Sequence, residues 1–579
     1  MRRSFLILLF SVIHFILFGQ QADLPKGFAE WELNSLIDIQ DFNYSAIQTP
    51  PTSKVRTMAE WEESQALLIT WTSYPSILAK IVKAAQEEGT VIILCSDSSE
   101  VKLSLTANEV DLNKNVKYLI APFNSVWIRD YGPNTVYKND VDSLYLVDWI
   151  YNRPRYKDDT VSTSVAKFLK VPLYSTYTSP YDLVNTGGNF MSDGSGNGFA
   201  SGLVIDENGK DNKFGTSNHN EAEIDTIMNK FMGIGQYIIM PKLPNDGIHH
   251  IDMHMKLLDE NTMLVGQYPK GLPDEPQIEA NIQYIIDSIN TIFGNKYNIL
   301  RIPMPPYTSG NYPGNGLNRT YTNAVFFNKT VIIPSYEEKY DTTAIRIWQE
   351  ALPGYTIAPV NCNSPITAGG AVHCITKEIG VADPLRIVHL PIRGELDYSG
   401  TNIKIQAKIQ HIAGIKEAKI WYRTDTVASF QEIIMTNESD DNWVGDLPAF
   451  QKGTIVHYFI SATSFSGKTR FLPLPAPKAN YTFKIKGSSS TTEIDNQPEI
   501  AEIFPNPASS ITCIPLKYSN GKIVELYLTD SFGRRIITIY SGKSVKENYF
   551  INASVLKSGI YFIVLRSENA INTQKLIVK

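Results

Sequence analysis

Cysteine is scarce in this sequence: Cys95, Cys362, Cys374 and Cys513 are the only four in 579 residues. So few and such scattered cysteines exclude a scaffold held together by disulfides. Cys95 ends an apolar run and Cys513 lies in a β-like segment, so both are predicted to be buried small hydrophobes. Of the remaining cysteines, Cys374 is the best candidate for a functional thiol.

An excess of positive charge is also missing. The chain has 53 Lys and Arg against 59 Asp and Glu, a net charge of −6. A nucleic-acid partner needs a basic face, so the composition argues against one, but it does not exclude a cationic substrate. The hydrophobic fraction of 43% is that of a globular protein. At roughly 150 residues per domain, the length predicts three or four folded units.

Long hydrophobic runs are absent except at the start, where Arg2 and Arg3 precede an apolar stretch from Phe5 to Phe18. This stretch is shorter than the ~20 residues that span a bilayer. We therefore predict a signal peptide over residues 1–20 and export of the chain, in preference to a membrane anchor. Residues 21–51 form an N-terminal segment without an assigned role.

Residues 52–390 alternate strand-like and helix-like segments, which predicts an α/β domain. The predicted strands are 67–71, 91–94, 118–121, 144–150, 262–265, 324–327 and 331–334. The predicted helices are 75–87, 221–232, 276–293 and 342–352, the last capped by Thr342 or Thr343 and stopped by Gly354.

The pattern changes after Leu390. Residues 391–486 alternate apolar and polar positions, which predicts a β-sandwich with strands at 403–409, 418–422, 455–462 and 481–485. Residues 487–498 have the composition of a flexible linker. Residues 499–579 are again all-β in pattern.

Four clusters in the α/β region could carry chemistry, and the first surrounds Asp130. This carboxylate follows a strand and precedes turn residues, an edge where sites often form. It could hold a cation, with Trp127 as an apolar wall. Alternatively, Arg129 and Asp130 form an internal pair beside a core tryptophan.

The second cluster is His249–His254. If it is a strand, His250, Asp252 and His254 share one face. Three such groups could ligate zinc, or a histidine acid/base could stand beside a binding aspartate. The residues alone leave both options open, together with purely structural histidines.

The third cluster is Gly369–Cys374, in which two glycines allow a close turn before a short strand. Adjacent strand residues face opposite ways, so His373 is a poor base for Cys374. His250 could supply the base that makes this thiol a nucleophile. The alternative is a buried, inert thiol.

The fourth cluster holds Arg153 and Arg155 on either side of a proline. Paired arginines suit bidentate recognition of a carboxylate or phosphate. The alternative is a solvated basic loop.

These motifs occur in a distinctive order: Trp127–Pro133, Gly187-Gly188-Asn189 with Asp193-Gly194, the His250-x-Asp252 pair, Asn323, and Gly369–Cys374. In this order the chain resembles the guanidino-group-modifying (pentein) superfamily, within it the agmatine deiminases and, more closely, the bacterial peptidylarginine deiminases. The resemblance covers roughly residues 52–390 and extends to an immunoglobulin-like domain over 391–486.

The resemblance implies a five-bladed α/β propeller with a central site. It implies that Cys374 attacks the guanidinium carbon and that Asp130 and Asp252 bind the guanidinium nitrogens. His250 would then act as acid and base, while Asn323 shapes the pocket. The family needs no catalytic metal, which makes His254 structural; the sequence does not indicate whether structural ions bind.

The resemblance also bears on the substrate. The element matching Arg153 and Arg155 binds the α-carboxylate of a C-terminal arginine in bacterial peptidylarginine deiminases, so a peptidyl arginine is favoured over agmatine. That family has a tyrosine three residues before the histidine, where this chain has Gly247. Agmatine deiminase is the nearest alternative. A metallohydrolase using His250, Asp252 and His254, and an adhesin built on an inactive enzyme core, are further ones.

The end of the chain has its own resemblance. Phe504-Pro505-Asn506-Pro507, Gly559-Ile560-Tyr561 and the terminal Lys579 resemble a type IX secretion sorting domain over 499–579. This implies the type IX machinery as a partner, and a secreted or surface-attached protein. A second adhesive sandwich is the alternative.

Overall fold

The computed structural model describes residues 24–35, 46–313, 317–397, 399–486, 498–517, 519, 521–544, 548–567 and 570–579. The predicted signal peptide and nearly all of the predicted linker lie outside these residues. The chain divides into two compact units, residues 1–486 and 487–579. Within the described ranges, no helix is long and apolar enough to cross a membrane.

Five small sheets make up the region from Val55 to Gly380, and each combines parallel with antiparallel pairing. In spatial order, their strands are Val55–Thr57, Asn134–Lys138, Leu144–Tyr151 and Leu173–Thr176, with Val184–Asn185 beside the third; Gln236–Met240, Asn197–Ser201 and Met191–Ser192; Met255–Leu257, Thr262–Gln267 and Asn298–Pro303; Val325–Phe327, Thr330–Ser335 and Thr356–Asn361; and Lys377–Gly380, Ser64–Thr70, Thr90–Cys95 and Val116–Ile120.

Nine α-helices are described between these strands: Pro75–Ala85, Ser98–Ala107, Ile128–Tyr131, Tyr156–Asp159, Val161–Leu169, Leu203–Asn208, Glu221–Met232, Glu275–Ser288 and Glu338–Ala351. Glu221–Met232 shows why the sequence signals worked. Asn220 and Glu223 form a capping box, and Gly233 ends the helix at φ +67°. A side chain on Gly233 would collide with the carbonyl of Val55, so glycine is required there.

The alternating α/β pattern is confirmed, but two predicted helix boundaries are wrong by four and five residues, and the helix predicted over 75–87 ends at Ala85. The helix predicted to start at Thr342 starts at Glu338, because Glu338 and Asp341 supply the negative charge that a first turn favours. The helix predicted to run to Phe293 ends at Ser288, where the β-branched Ile289 takes an extended conformation. Short 3₁₀ turns lie at Glu30–Asn34, Gly187–Asn189, Ile251–Met253, Pro365–Ala368 and His373–Ile375.

Two further sheets follow, with a core of their own around Ile405, Ile409, Tyr458 and Phe483. One contains Arg386–Val388, Ile403–Gln410, Asn442–Leu447 and Thr436–Ser439; the other contains Gly394–Leu396, Tyr481–Ile485, Ile455–Ser464, Ile415–Arg423 and Gln431–Ile434, with Thr469–Leu472 beside Ile455–Ser464. Alternating burial along Ile403–Gln410 matches the predicted sandwich pattern.

The second unit is built from strands as well. Glu499–Ile500, Ile511–Lys517 and Asn548–Asn552 form one sheet, and Arg535–Lys543, Ile523–Asp530, Gly559–Ser567 and Ile571–Val578 form another. A single 3₁₀ turn, Ala553–Val555, interrupts them in the described part. Their shared core includes Leu526, Ile563 and Leu576.

Candidate active site

Cys374 lies in the 3₁₀ turn His373–Ile375, and the strand Lys377–Gly380 starts three residues later. The predicted short strand at Cys374 is therefore wrong. Gly370 packs directly on the cysteine: a methyl group there would lie 2.8 Å from Cys374 Cβ and 3.0 Å from its sulfur. Glycine thus allows the backbone to pass beside the thiol without displacing it.

Asp130 and Asp252 face the cysteine from two other turns. Asp130 lies in the single-turn helix Ile128–Tyr131, and Asp252 lies in the 3₁₀ turn Ile251–Met253. Between them sits the ammonium of Lys26, whose Nζ is 2.8 Å from Cys374 Sγ, 3.8 Å from Asp252 Oδ1 and 4.0 Å from Asp130 Oδ1. All four side chains are buried. The site is therefore a sealed cation pocket with a thiol on one side.

His250 completes this pocket. Its Nδ1 is 3.6 Å from Asp130 Oδ1, and within the described residues neither ring nitrogen has a hydrogen-bond partner. The strand considered for His249–His254 does not form: His250 is extended, but the chain then turns through Ile251–Met253. Gly188 makes the close packing possible, because a methyl group there would collide with His250 Nδ1 and lie 2.9 Å from Asp130 Oδ1.

Asn323 also contacts the thiol. Its Nδ2 is 3.2 Å from Cys374 Sγ, and its Oδ1 accepts a hydrogen bond of 3.1 Å from the backbone N–H of His373. The amide is thus oriented by the same turn that carries the cysteine.

His373 points to a different set of partners. Its Nδ1 lies 2.8 Å from Asp252 Oδ2 and its Nε2 lies 2.8 Å from Glu60 Oε2. Both ring nitrogens are therefore occupied by carboxylates, which disfavours His373 as the base for Cys374. The side chains of His373 and Cys374 are separated by these contacts and not by strand alternation, because the two residues lie in a 3₁₀ turn. The histidine instead fixes Asp252.

The residues around Cys374, namely Asp130, Asp252, His250 and Asn323, form what we call the floor of the pocket. Buried ion pairs support this floor. Arg129 forms a bidentate pair with Glu378, at 2.6 and 3.2 Å. Lys256 donates to both oxygens of Glu60, at 2.6 and 2.7 Å. The predicted alternative of an Arg129–Asp130 pair is therefore wrong, and Asp130 is left available for a ligand.

The ionisation of the site follows from burial. Burial raises the pKa of Cys374 to about 12; the Lys26 charge acts to lower it, and Asp252 and Asp130 to raise it further. Burial, together with the charges of Lys26 and Arg153, holds the pKa of His250 well below its usual range. Burial disfavours the charge on Lys26, but the charges of Asp130 and Asp252 outweigh it and raise the Lys26 pKa. The thiolate therefore depends on a cation in the pocket.

The segment that carries Lys26 into the pocket contacts three buried side chains, Arg153, Arg155 and Trp127, which we call the entrance. Arg155 binds Glu32 through two hydrogen bonds of 2.7 and 2.9 Å and also reaches the carbonyls of residues 25 and 27. Arg153 Nε donates to the Lys26 carbonyl at 3.2 Å. The predicted alternative of a solvated basic loop is wrong, because these arginines bind a backbone.

His254 lies outside this constellation. It is buried, and within the described residues neither of its nitrogens has a hydrogen-bond partner. Among those residues, no group of three His, Cys, Asp or Glu side chains is arranged to hold a metal ion.

Lys26 and Glu32 are the site residues that the sequence analysis missed. The signal was present but faint: Lys26 is the only basic residue between Gln21 and Pro51, a stretch with five acidic residues. A single lysine in an acidic segment does not by itself indicate a site residue. Its role becomes clear only when the structure places it in a pocket lined by carboxylates.

The comparison with known families decides the identity of this pocket. Residues 56–379, more than half of the chain, match the model for the Porphyromonas-type peptidyl-arginine deiminase. The chain belongs to that family. It is a deiminase of guanidino groups, a hydrolase that acts on C–N bonds of linear amidines.

Relatives extend the comparison. A Vibrio parahaemolyticus protein with the provisional name agmatine deiminase is 24% identical over 366 residues, covering 57% of this chain and 98% of the relative. A crystal structure with the same provisional name superposes with a TM-score of 0.51 at 18% identity, covering 58% of this chain and all of the other. A Porphyromonas gingivalis structure, provisionally named an arginine deiminase, gives 0.49 at 19% identity over 56% and 98% of the two chains.

A second family matches the end of the deiminase. Residues 502–579 match a secretion system C-terminal sorting domain, of the type IX kind. The domain indicates that the deiminase is secreted or attached to the cell surface.

Proposed function

We propose that this deiminase converts peptidyl arginine to citrulline and ammonia, at internal positions as well as at the C-terminus of peptides. The observation that carries the proposal is the position of Lys26. A side chain borne by a continuous peptide backbone enters the pocket, and its ammonium lies between Asp130 and Asp252 beside Cys374. Arg153 and Arg155 hydrogen-bond the carbonyls of that backbone. Agmatine has neither these carbonyls nor a carboxylate.

The first half of the reaction uses the thiolate of Cys374. Asp130 and Asp252 hold the guanidinium planar and offset the cost of burying its charge. The sulfur forms a bond to the guanidinium carbon, and one terminal C–N bond then breaks. His250 takes the proton of the Cys374 thiol as the thiolate forms and passes it to this nitrogen, which leaves as ammonia, and an S-alkylthiouronium remains on Cys374.

The second half uses water. Neutral His250 removes a proton from a water molecule, whose oxygen adds to the thiouronium carbon. The C–S bond breaks, citrulline forms and the thiolate returns. Asn323 supports both halves by donating to the sulfur at 3.2 Å. A neutral His250 suits this role, because its pKa is held well below its usual range.

The wider architecture fits an exported enzyme of this kind. We propose that the five sheets between Val55 and Gly380 are the five blades of a propeller around the site. Residues 391–486 would then be an immunoglobulin-like sandwich, and a signal peptide at 1–20 would start export. The domain limits 21–51, 52–390, 391–486, 487–498 and 499–579 belong to the same proposal.

Agmatine is the second candidate substrate, because relatives at 24% identity carry the provisional name agmatine deiminase. The product would be N-carbamoylputrescine. The residues around Cys374 would catalyse this reaction equally well. Only the entrance residues therefore distinguish agmatine from peptidyl arginine.

The decisive experiment compares kcat/KM for four substrates: a peptide ending in arginine, a peptide with internal arginine, free arginine and agmatine. Citrulline and ammonia are measured in parallel. Peptides should exceed agmatine by at least tenfold, and the Cys374→Ala variant should lose turnover of all four. Higher kcat/KM for agmatine would contradict the peptidyl proposal, and full activity of Cys374→Ala would contradict the mechanism.

A further inference from the structure

The N-terminal residues 24–33 lie across the entrance of the pocket, and Lys26 fills it. Lys26 and Cys374 are both fully buried with the segment in place. We propose that this segment is a built-in inhibitor that binds as a peptide substrate would, with Lys26 as an unreactive mimic of the target arginine. The inference rests on the proposed function and adds a regulatory element and peptide subsites to it.

The geometry of Lys26 is that of a substrate. In lysine, the path from Cα to Nζ has as many atoms as the path from Cα to the guanidinium carbon in arginine. Lys26 Nζ therefore marks where that carbon would lie, and Cys374 Sγ is 2.8 Å away. Since this atom is a nitrogen and not an electrophilic carbon, the sulfur has nothing to attack.

The distances from Lys26 Nζ to Asp130 and Asp252 also match those expected for a guanidinium carbon. A guanidinium carbon lies roughly 3.7 Å from a carboxylate oxygen that accepts from its nitrogen, given a C–N bond of about 1.33 Å and an N···O distance of about 2.9 Å. Lys26 Nζ is 3.8 Å from Asp252 Oδ1 and 4.0 Å from Asp130 Oδ1. Within the described residues, both oxygens lack a hydrogen-bond partner. They are spaced for a larger, planar cation than the one present.

The backbone of the segment is held as a ligand is held. Lys26 N–H donates to the Ala368 carbonyl at 2.8 Å, and Trp127 Nε1 donates to the Leu24 carbonyl at 2.8 Å. Arg153 reaches the Lys26 carbonyl at 3.2 Å, and its guanidinium lies 4.4 Å from the centre of the Phe28 ring. These contacts mark subsites on both sides of the target residue, including an aromatic one.

Glu32 fastens the far end of the segment. Its carboxylate receives two hydrogen bonds from Arg155 and a third, of 2.7 Å, from the backbone N–H of Ala29. This pair is fully buried. Removing one partner of such a pair is strongly destabilising, so Glu32 is a second point at which the segment can be released.

A tethered mimic competes with substrate at an effective concentration that reaches the millimolar range for short linkers. If only a fraction of molecules has an open pocket, the apparent KM rises by the inverse of that fraction and kcat at saturation is unchanged. Inhibition should therefore appear as a high KM for every substrate, small ones included. The predicted signal-peptide cleavage near residue 20 would leave Lys26 on the exported chain.

The test uses the full-length protein with Lys26→Ala, Glu32→Ala and the control Glu30→Ala, an exposed acid in the same turn. Agmatine and an arginine peptide are assayed with each. We expect Lys26→Ala and Glu32→Ala to lower KM at least tenfold with kcat within about twofold, and Glu30→Ala to match the wild type. Equal KM in all four active proteins would overturn the inference alone. Absence of turnover in every variant would overturn the proposed function as well.

A second variant tests the mimicry itself. Lys26→Arg places a guanidinium carbon beside Cys374, so residue 26 should convert to citrulline within its own molecule. Mass spectrometry should show exchange of NH for O at residue 26 only, at a rate independent of protein concentration. Lys54→Arg, at an exposed side chain, should remain arginine, as should Lys26→Arg combined with Cys374→Ala. An arginine that stays unmodified at position 26, in an enzyme active on peptides, would contradict the mimicry.

Discussion

The floor and the entrance of the active site are built in different ways. In the floor, charges pair within the deiminase region itself: His373 bridges Asp252 and Glu60, and Arg129 binds Glu378. At the entrance, Arg153 and Arg155 bind partners that the N-terminal segment supplies. The supporting ion pairs of the floor are therefore independent of the segment. The entrance arginines lose partners when the segment leaves, and Asp130 and Asp252 lose the Lys26 cation that a substrate guanidinium would replace.

This difference assigns the reaction itself to the floor and the choice of substrate to the entrance. A floor that is fixed in advance lowers the barrier for any guanidinium that reaches it. An entrance that binds backbone carbonyls discriminates by what carries the guanidinium. Substitutions in the floor should therefore harm every substrate, and those at the entrance should harm only some.

The largest effect is expected for Asp252→Asn. Asparagine keeps the shape but loses the charge that offsets the guanidinium and orients His373, so kcat should fall about 10³-fold for peptides and agmatine alike. Steady-state ammonia release measures this. The exposed Asp97→Asn, at a helix N-cap, should leave kcat unchanged. A loss confined to one substrate would erase the distinction between floor and entrance.

Gly188→Ala should come next. Its methyl group would collide with His250 and press on Asp130, and displacements of about 1 Å in a site of this kind cost roughly 10²-fold in rate. The measurement is kcat for both substrates, with thermal unfolding to confirm a folded protein. Gly202→Ala, whose methyl group would meet its nearest neighbours at 3.7 and 3.8 Å, should retain wild-type rates. Equal losses in the two variants would point to stability alone.

Arg155→Ala should have a smaller and selective effect. It is best measured in a Lys26→Ala background, where the segment competes least. Hydrogen bonds from a charged group contribute about 1.5–3 kcal/mol, so KM for arginine peptides should rise at least tenfold while KM for agmatine should not rise. Arg346→Ala, at an exposed helix pair, is the control. A parallel rise for agmatine would show that Arg155 supports the floor.

His254→Phe should leave catalysis intact and change only acid stability. Burial lowers the His254 pKa to about 4, so on acidification the unfolded chain takes up this proton first. The stability present above about pH 6.5 is then lost as pH falls towards 4, by roughly 1 kcal/mol per pH unit. Denaturant unfolding at pH 7 and pH 5 should show a shallower loss for His254→Phe. Identical losses in variant and wild type would contradict this assignment.

The sequence by itself determined the chemical set, because each member stands in a motif with local meaning. Two glycines precede Cys374, His250 stands two residues before Asp252, and Asp130 lies in the run Trp127–Pro133. Helix signals were equally local: the capping box at Asn220 and the stop at Gly233 fixed both ends of one helix. Such information can be read from the sequence because it depends on residues that are close together in the chain.

Only the tertiary structure decided how these residues are used. It showed that His373 binds two carboxylates, that Arg129 pairs with Glu378, and that Lys26 enters a pocket formed hundreds of residues away. Each of these contacts joins groups far apart in sequence, and a charged side chain does not reveal its partner until folding removes it from water. A lone lysine near the start of the chain acquires its meaning only from the two carboxylates and the thiol that the fold brings around it.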